Sequence, residues 1–120
     1  MQALFLIGRI LLGGYFIYSA YNHFKDIGGM SGYAKMKGVP AAKAGVILSG
    51  VMFGIGGLAI VFNRYAILGM IVTALALIPI TIMMHPFWKE KEPSARMMER
   101  IQFTKNIAII GSLILLISIG

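Results

Sequence analysis

The sequence contains no cysteine and only four acidic residues among its 120 positions. Without cysteine, the chain can form no disulfide, no covalent c-type haem linkage and no cysteine-ligated iron–sulfur or zinc site. Charged residues of either sign make up 12% of the chain, whereas they make up about a quarter of an average soluble domain. Enzyme classes that depend on a thiol are therefore excluded, although the missing cysteine does not indicate a compartment.

Apolar residues dominate what is present: they make up 58% of the chain, and the mean hydropathy is +0.84. A soluble fold of this length could not bury so much apolar surface. Four apolar runs, 1–22, 44–62, 66–84 and 104–120, each approach the length that a helix needs to cross a hydrocarbon core of about 30 Å. Backbone groups in lipid must bond within their own segment, so these runs are predicted helices. The sequence predicts an all-α transmembrane four-helix bundle, with residues 1–120 as a single integral membrane domain.

The net charge of +7 is distributed unevenly along the chain. All basic residues except Arg9 and Arg64 fall in or beside two long loops, 22–43 and 85–105. Lysine and arginine are concentrated in the cytoplasmic loops of membrane proteins. We therefore predict a protein of the cell membrane whose two long loops lie in the cytoplasm and whose two termini lie outside it. Anionic lipid explains the charge without nucleic acid. The expected partners are the lipid bilayer and other membrane protein subunits.

The second long loop contains an amphipathic segment over residues 94–103. Met97, Met98 and Ile101 fall on one side of this segment, and its charged residues fall largely on the others. Such a pattern is typical of a helix that lies in the membrane interface, so a short interfacial amphipathic helix is predicted before the last span. Trp88, near the start of the loop, is expected at headgroup level.

Small residues recur at helical spacing in the apolar runs, where they allow transmembrane helices to approach closely. The main interpretation is packing inside the bundle, and the alternative is a seam between two copies of the chain in a homo-oligomer. The four glycines to which helix packing is assigned are Gly13, Gly50, Gly54 and Gly57. In the first long loop, turns surround a short predicted helical piece near residues 33–37.

Arg9 and His23 lie on one face of the first predicted helix, because the intervals through Gly13, Phe16 and Ala20 alternate between four and three residues. The two polar side chains are separated by about 21 Å along the helix axis. No acidic residue occurs in any of the four apolar runs. The partner of Arg9 is therefore expected among helix carbonyls, hydroxyl groups, lipid phosphates, a ligand or another subunit.

A cluster of polar residues is predicted at the cytoplasmic edge of the bundle. Residues 107–120 are too few to cross a bilayer, so the polar residues just before them are expected at the depth where the first and third runs end. Hydrogen-bond donors at this depth, with an indole for stacking, suit a quinone carbonyl or a small oxyanion; the alternative is that they only reach for headgroups. The candidate ligand-binding residues are Arg9, His23, Lys25, His85, Trp88, Lys105 and Asn106.

Metal sites are not expected. Two histidines can ligate a haem, but the neighbouring lysines and the lack of an apolar pocket around them argue against it. Zinc would need a third ligand, and only Asp26 is near. We predict no metal and no covalently bound cofactor, and a bound quinone remains the cofactor to consider. No nucleophile–base–acid triad, phosphate-binding loop or carboxylate pair occurs, so the question of catalysis stays open.

Five segments carry a further signal through their order and spacing: GRILLGGYFIYSAYNHFKD, KGVP, GIGGLAIVF, MHPFW and KNIAIIGSLILL. Together they resemble the DoxX family of small four-helix membrane proteins over nearly the whole chain. The residues that match characteristic positions of the family are Arg9, Gly13, Phe16, Lys25, His85 and Asn106.

The resemblance implies a link to redox work, because the family takes its name from a subunit of a thiosulfate:quinone oxidoreductase and other members are linked to membrane redox or thiol-stress complexes. We therefore expect a small integral membrane subunit of a quinone-linked redox complex, with a quinone or oxyanion site at the cytoplasmic edge. The alternative is a non-catalytic structural or accessory subunit of a larger membrane complex. A third possibility, a small-molecule transporter, requires that side chains such as Phe16, Leu48 and Leu77 do not fill the bundle centre.

Overall fold

A computed structural model describes residues 2–120 and contains only helices and turns in that range. The α-helices of this part of the chain are α1 (Gln2–Lys25), α2 (Ile27–Met36), α3 (Ala42–Val61), α4 (Ala66–Met84) and α5 (Pro93–Ile119), with one 3-10 turn at Phe87–Lys89. The structure is 87% helical, so the predicted all-α fold is confirmed.

The helices α1, α3, α4 and α5 are long and apolar enough to cross a membrane, which confirms the four predicted spans. The last of them differs from the prediction in one respect. The amphipathic segment 94–103 and the predicted span 104–120 form one continuous helix, α5. Between Pro93 and Gly111 there is neither glycine nor proline, so nothing in the sequence interrupts the helix. The predicted interfacial helix is the first part of α5.

Short connections join the helices. The side chain of Asp26 caps α2 by accepting a hydrogen bond from the N–H of Gly29 (3.0 Å). Gly38 follows α2 with a φ of 86°, a left-handed conformation that glycine adopts without strain. The short helix predicted near residues 33–37 corresponds to α2, which begins earlier, at Ile27, and ends at Met36. The turn between α3 and α4 covers only residues 62–65, so these two helices are antiparallel neighbours.

In the bundle, α3 packs against α1 on one side and α4 on the other, and α5 packs against α4. Each of the four spans contributes to the buried core, through Phe16, Phe53, Leu77 and Leu113. The rings of Phe16 and Phe53 stack with their centroids 5.6 Å apart. Leu48, one of the side chains whose presence in the bundle centre would argue against a transporter, is 61% exposed, because it lies on the opposite side of α3 from the buried residues two positions before and after it.

The two ends of the bundle differ in what they hold. At one end, which we call the loop end, α1 and α4 finish, α3 and α5 begin, and α2 and the 3-10 turn are located. The opposite end, which we call the terminal end, holds the start of α1, the turn at 62–65 and the end of α5. The polar residues that follow are placed relative to these two ends.

Candidate functional site

A cavity of about 480 Å³ lies at the loop end, with walls contributed by α1, α2, α3 and α4. Most of its lining is aliphatic, and four methionines take part: Met30, Met52, Met83 and Met84. Methionine is flexible and polarizable, so it adapts to ligands of different outline and makes favourable contacts with aromatic rings. The cavity is therefore a mainly apolar site whose few polar side chains decide what else it can recognise.

His23, in the last turn of α1, is one of these polar side chains. Its Nδ1 atom lies 2.7 Å from the backbone carbonyl oxygen of Ser19, one helical turn earlier. A carbonyl can only accept a hydrogen bond, so Nδ1 carries the proton and donates it. The ring also meets Phe53 edge-on, with centroids 5.4 Å apart. The orientation of the imidazole is thus held from two sides, and Nε2 is left for other partners.

His85, which follows directly after α4, is the second histidine in the lining. Its Nδ1 atom lies 3.4 Å from Oε2 of Glu99, a residue of α5. The same carboxylate oxygen accepts a hydrogen bond from the Lys37 ammonium at 3.2 Å, and Lys37 also reaches Glu90 at 3.4 Å. Lys37, Glu90 and Glu99 therefore form an ion-paired group that joins α2, α5 and the loop between α4 and α5, and this group contacts His85 through Glu99.

Lys37 is the cation of this group, and only 15% of its side chain is exposed. Burial by itself would lower the pKa of Lys37, but the hydrogen bonds to Glu99 and Glu90 and the charge of Glu99 outweigh that effect. The pKa is raised from the ordinary value of 10.5. Lys37 is accordingly charged throughout the neutral range. Its ion pairs with Glu90 and Glu99 attach the end of α2 to α5 and to the loop before α5.

The remaining candidate residues of the loop end do not line the cavity. Lys25 is exposed and lies over the ring of Tyr21, with Nζ 5.9 Å from the centroid. Trp88 is 47% exposed and packs edge-on against Phe87 and Phe103, with centroids 5.3 and 5.6 Å away. Exposed lysine and tryptophan side chains at the end of a span are typical of residues that lie at the level of the lipid headgroups.

Lys105 and Asn106 lie deeper than the sequence indicated. Lys105 Nζ is 3.4 Å from the hydroxyl of Tyr15, which is about 12 Å along α1 from His23. Asn106 is buried, and its Oδ1 has no hydrogen-bond partner among residues 2–120. The expectation of a common depth was wrong for these two, because α5 begins at Pro93 and its first three turns carry the chain into the bundle before Lys105.

Arg9 lies near the terminal end, far from the cavity. Its Nε and Nη2 atoms both donate to the carbonyl oxygen of Val61, the last residue of α3, at 3.3 and 3.2 Å. The guanidinium carbon also sits 5.1 Å from the centroid of the Phe5 ring. Of the partners considered for Arg9, the structure therefore supplies a helix carbonyl.

The four glycines assigned to helix packing differ in how closely they approach other atoms. A methyl group on Gly13 would lie 2.7 Å from the carbonyl oxygen of Gly57, and one on Gly57 would lie 2.7 Å from that of Gly13. A methyl group on Gly50 would meet the side chains of His23 and Phe24 at about 2.9 Å. At Gly54 the nearest atom would be 3.5 Å away, which is an ordinary contact.

Sequence reasoning missed Glu99 and Lys37. Glu99 was counted with the exposed charges of the amphipathic segment, yet only 13% of its side chain is exposed. The scarcity of acids was the available signal, because a chain with four acidic residues and eleven basic ones leaves few carboxylates for any buried cation. The apolar pocket that was thought to be lacking around the histidines was also missed. Within residues 2–120, no three His, Asp or Glu side chains are grouped so that they could hold a metal ion.

These features define the class of the protein: a small multi-pass α-helical membrane protein with an apolar cavity at one end of its bundle. The chain belongs to the DoxX family, whose model matches residues 4–86, more than half of the sequence. The matched part includes Arg9, His23 and His85 and ends before α5, so Asn106 lies outside it. No curated protein and no solved structure matches the chain.

Proposed function

We propose that the chain binds a quinone-type ring compound from the bilayer in the cavity between His23 and His85. The observation that carries the proposal is that these two histidines, from α1 and from the end of α4, line one mainly apolar cavity. Apolar pockets with a few convergent polar groups are the usual form of small-molecule sites, and 480 Å³ falls within their ordinary range of about 300–1,000 Å³.

The lining favours a ring compound over the other candidate, a small oxyanion. Among residues 2–120, no lysine or arginine lines the cavity, so an anion would lose its hydration without gaining a cation. The methionines and aliphatic side chains instead suit a flat hydrophobic ring, and the two imidazoles supply hydrogen bonds to its polar substituents. A lipid-soluble ligand can also reach this end of the bundle through the bilayer.

We propose further that the chain acts as a membrane subunit of a redox complex at the cytoplasmic side. The sequence has no cysteine to exchange electrons with a bound quinone, so the electron-transferring group is expected in a partner subunit. A transporter is less well supported, because Phe16, Leu77 and Leu113 fill the bundle centre. The alternative role, a structural or accessory subunit, would not require a ligand in the cavity.

The single tryptophan of the chain, Trp88, provides a test of binding, because it lies three positions after His85 and quinones quench indole fluorescence. The protein is placed in lipid nanodiscs and titrated with a short-chain ubiquinone. Saturable quenching is expected for the wild-type protein, and at least tenfold weaker binding for the His23→Ala and His85→Ala variants. Lys25→Ala, which removes an exposed lysine outside the cavity, is the matched control and is expected to bind normally.

Unchanged quinone binding in both histidine variants would contradict the proposal. A Soret band from co-purified haem would also contradict it, because iron would then occupy the Nε2 atoms that the ligand is proposed to use. Co-purification of partner polypeptides in mild detergent, with no quinone present and no quenching, would favour the accessory role instead.

A further inference from the structure

We infer that the cavity selects the reduced, dihydroxy form of a quinone-type ring over the oxidised, dicarbonyl form. This inference rests on the proposed function and specifies the hydrogen-bonding chemistry of its ligand. It follows from the way in which the two histidines are held.

Both imidazoles are anchored through Nδ1 by groups that accept hydrogen bonds. The anchor of His23 is the carbonyl oxygen of Ser19 at 2.7 Å, and the anchor of His85 is the carboxylate of Glu99 at 3.4 Å. A neutral imidazole has one N–H donor and one lone-pair acceptor. With the proton on Nδ1, the second ring nitrogen, Nε2, is an acceptor in both residues. Among the residues that the structure describes, no hydrogen bond reaches either Nε2 atom.

A third acceptor adds to the same pattern. Pro79 lies inside α4 and has no N–H, so the carbonyl of Leu75 lacks the donor that an α-helix normally supplies four residues later. Leu75 and Pro79 both line the cavity. The α4 wall of the cavity therefore includes a residue whose backbone carbonyl has no helical donor, in addition to the imidazole of His85.

The two redox forms of a quinone differ in whether their oxygen substituents can donate hydrogen bonds. The reduced ring carries hydroxyl groups that donate, whereas the oxidised ring carries carbonyl groups that only accept. A carbonyl opposite Nε2 would place two acceptors together in an apolar cavity and leave both unpaired, which is unfavourable. Sites built to bond a hydroxyl discriminate strongly against an analogue that lacks it.

Among the residues that the structure describes, two lining groups have a donor with no partner: the hydroxyl of Tyr33, which can also accept, and the N–H of Ala42 in the first turn of α3. The hydroxyl of Ser49 also belongs to a lining residue, but it donates to the carbonyls of Gly45 and Val46 in its own helix. The affinity of a carbonyl ligand held by Tyr33 or Ala42 would not depend on the histidines. Variants of the histidines therefore separate the two modes of binding.

Glu99 has the part of a positioning residue, because it fixes which nitrogen of His85 is protonated without lining the cavity itself. In a Glu99→Gln variant the amide can either accept from Nδ1 or donate to it, so the tautomer of His85 is no longer fixed. Glu90 contacts Lys37 but not His85, which makes Glu90→Gln the matched control.

The test compares three ligands on the intact protein in nanodiscs: tert-butylhydroquinone, its quinone and its dimethyl ether. Affinities are measured by equilibrium dialysis without oxygen at about pH 8. The hydroquinone is expected to bind roughly tenfold more tightly than either other ligand. This preference is expected to fall toward equality in His23→Phe, His85→Phe and Glu99→Gln, and to persist in Glu90→Gln.

Equal affinities of the three ligands for the wild-type protein, or tighter binding of the quinone, would overturn the inference and leave the proposed function intact. Failure of all three to bind would overturn the proposed function itself. Retention of the full preference in both histidine variants would show that another acceptor, such as the Tyr33 hydroxyl or the Leu75 carbonyl, selects the hydroquinone, which also overturns the inference. The comparison in the wild-type protein requires no variant to fold, and helicity by circular dichroism checks the variants.

Discussion

Arg9 shows how a single cation is accommodated inside a span. An arginine in the middle of a transmembrane helix is unfavourable by about 2.5–3.5 kcal/mol on insertion scales. Here the guanidinium donates twice to the carbonyl of Val61, which lies at the C-terminus of α3. Carbonyls in the last turn of a helix have no intrahelical donor and carry the negative end of the helix dipole. The Arg9 guanidinium and the Val61 carbonyl, each unfavourable in lipid without a partner, therefore form hydrogen bonds with each other.

Replacing Arg9 is therefore expected to destabilise the bundle despite removing a charge from lipid. In Arg9→Leu, the Val61 carbonyl loses both of its side-chain hydrogen bonds, so we expect the free energy of unfolding to fall by about 1–2 kcal/mol. Thermal unfolding in detergent, followed by circular dichroism, measures this change.

The control for this variant is Arg64→Leu, which removes an exposed arginine from the turn between α3 and α4. Its effect is expected to stay within about 0.5 kcal/mol, as for most surface substitutions. Equal midpoints for the two variants would refute a stabilising role for the contact between Arg9 and Val61.

At the scale of elements, glycines set the distance between helices. The α1–α3 contact is closest at Gly13 and Gly57, where each backbone carbonyl faces the other glycine. The α3–α4 contact has a similar pair, Gly56 and Gly69, in which an added methyl group would meet the partner's carbonyl oxygen at 2.9 Å. Because dispersion contacts, rather than the hydrophobic effect, hold helices together in lipid, close approach of the backbones stabilises the bundle directly.

Two alanine substitutions on α3 test this arrangement. In Gly57→Ala the new methyl group meets backbone atoms, which cannot move aside, so we expect a loss of about 1–3 kcal/mol in unfolding free energy. In Gly54→Ala the methyl group finds an ordinary contact at 3.5 Å, and the better helix propensity of alanine makes the change neutral or stabilising. Chemical unfolding in mixed micelles distinguishes the two, and a larger loss for Gly54→Ala would contradict the packing described.

The short helix α2 closes the cavity, since Met30, Tyr33 and Ala34 are part of its lining. Lys37 at its end holds it to Glu90 and Glu99. In Lys37→Met both ion pairs are lost, so we expect amide hydrogen exchange of residues 27–36 to become faster and the free energy of unfolding to fall by about 1–2 kcal/mol. Lys35→Met, which removes an exposed lysine of the same helix, is expected to leave the exchange unchanged.

The pH dependence of this contribution follows from the raised pKa of Lys37. Stability gained from a raised pKa is fully present below the unfolded value of 10.5 and is lost as the pH rises through the folded value. The difference between wild type and Lys37→Met should therefore be constant from neutral pH to about pH 10 and disappear above the folded pKa. A difference that vanishes well below this range would mean that the charge of Lys37 is not what holds α2.

At the scale of the whole molecule, the longest dimension of 46 Å is close to the full thickness of a bilayer with its headgroups, about 40–45 Å. The outer surfaces of the four spans are largely apolar, with residues such as Leu11, Ile55 and Leu115 more than half exposed. Nearly all basic residues belong to the loop half of the molecule, since only Arg9 and Arg64 lie toward the terminal end. This asymmetry predicts that the loop end faces the cytoplasm.

The lack of cysteine allows a direct test of the orientation, because any introduced thiol is the only one in the chain. We expect Arg64→Cys, at the terminal end, to react with a membrane-impermeant maleimide in intact cells. Ser94→Cys, at the loop end, should react only after the cells are permeabilised. Both residues are exposed, so access to the reagent depends on the side of the membrane. The reverse labelling pattern would place the loop end and its cavity outside the cytoplasm.

The sequence alone predicted the all-α bundle and its four spans, because hydropathy and span length are properties of each segment by itself. The limits of α3 and α4 agree with the predicted spans to within two residues. The start of α5 was missed by eleven residues, since the first, more polar part of this helix lacks the continuous hydrophobic pattern of a span. That error placed Lys105 and Asn106 at the depth of the two histidines, although neither residue lines the cavity.

Only the tertiary structure decided which polar groups meet. His23 was placed at the correct end of α1 by counting residues, but its position beside His85 in an apolar cavity depends on how α1, α2 and α4 are arranged around α3. The bond between Glu99 and His85 likewise depends on the angle at which α5 leaves the 3-10 turn. Composition and spacing determine which segments enter the membrane, because each segment partitions largely on its own. Side-chain contacts between helices depend on their relative rotation and depth, and those are set by packing across the whole bundle.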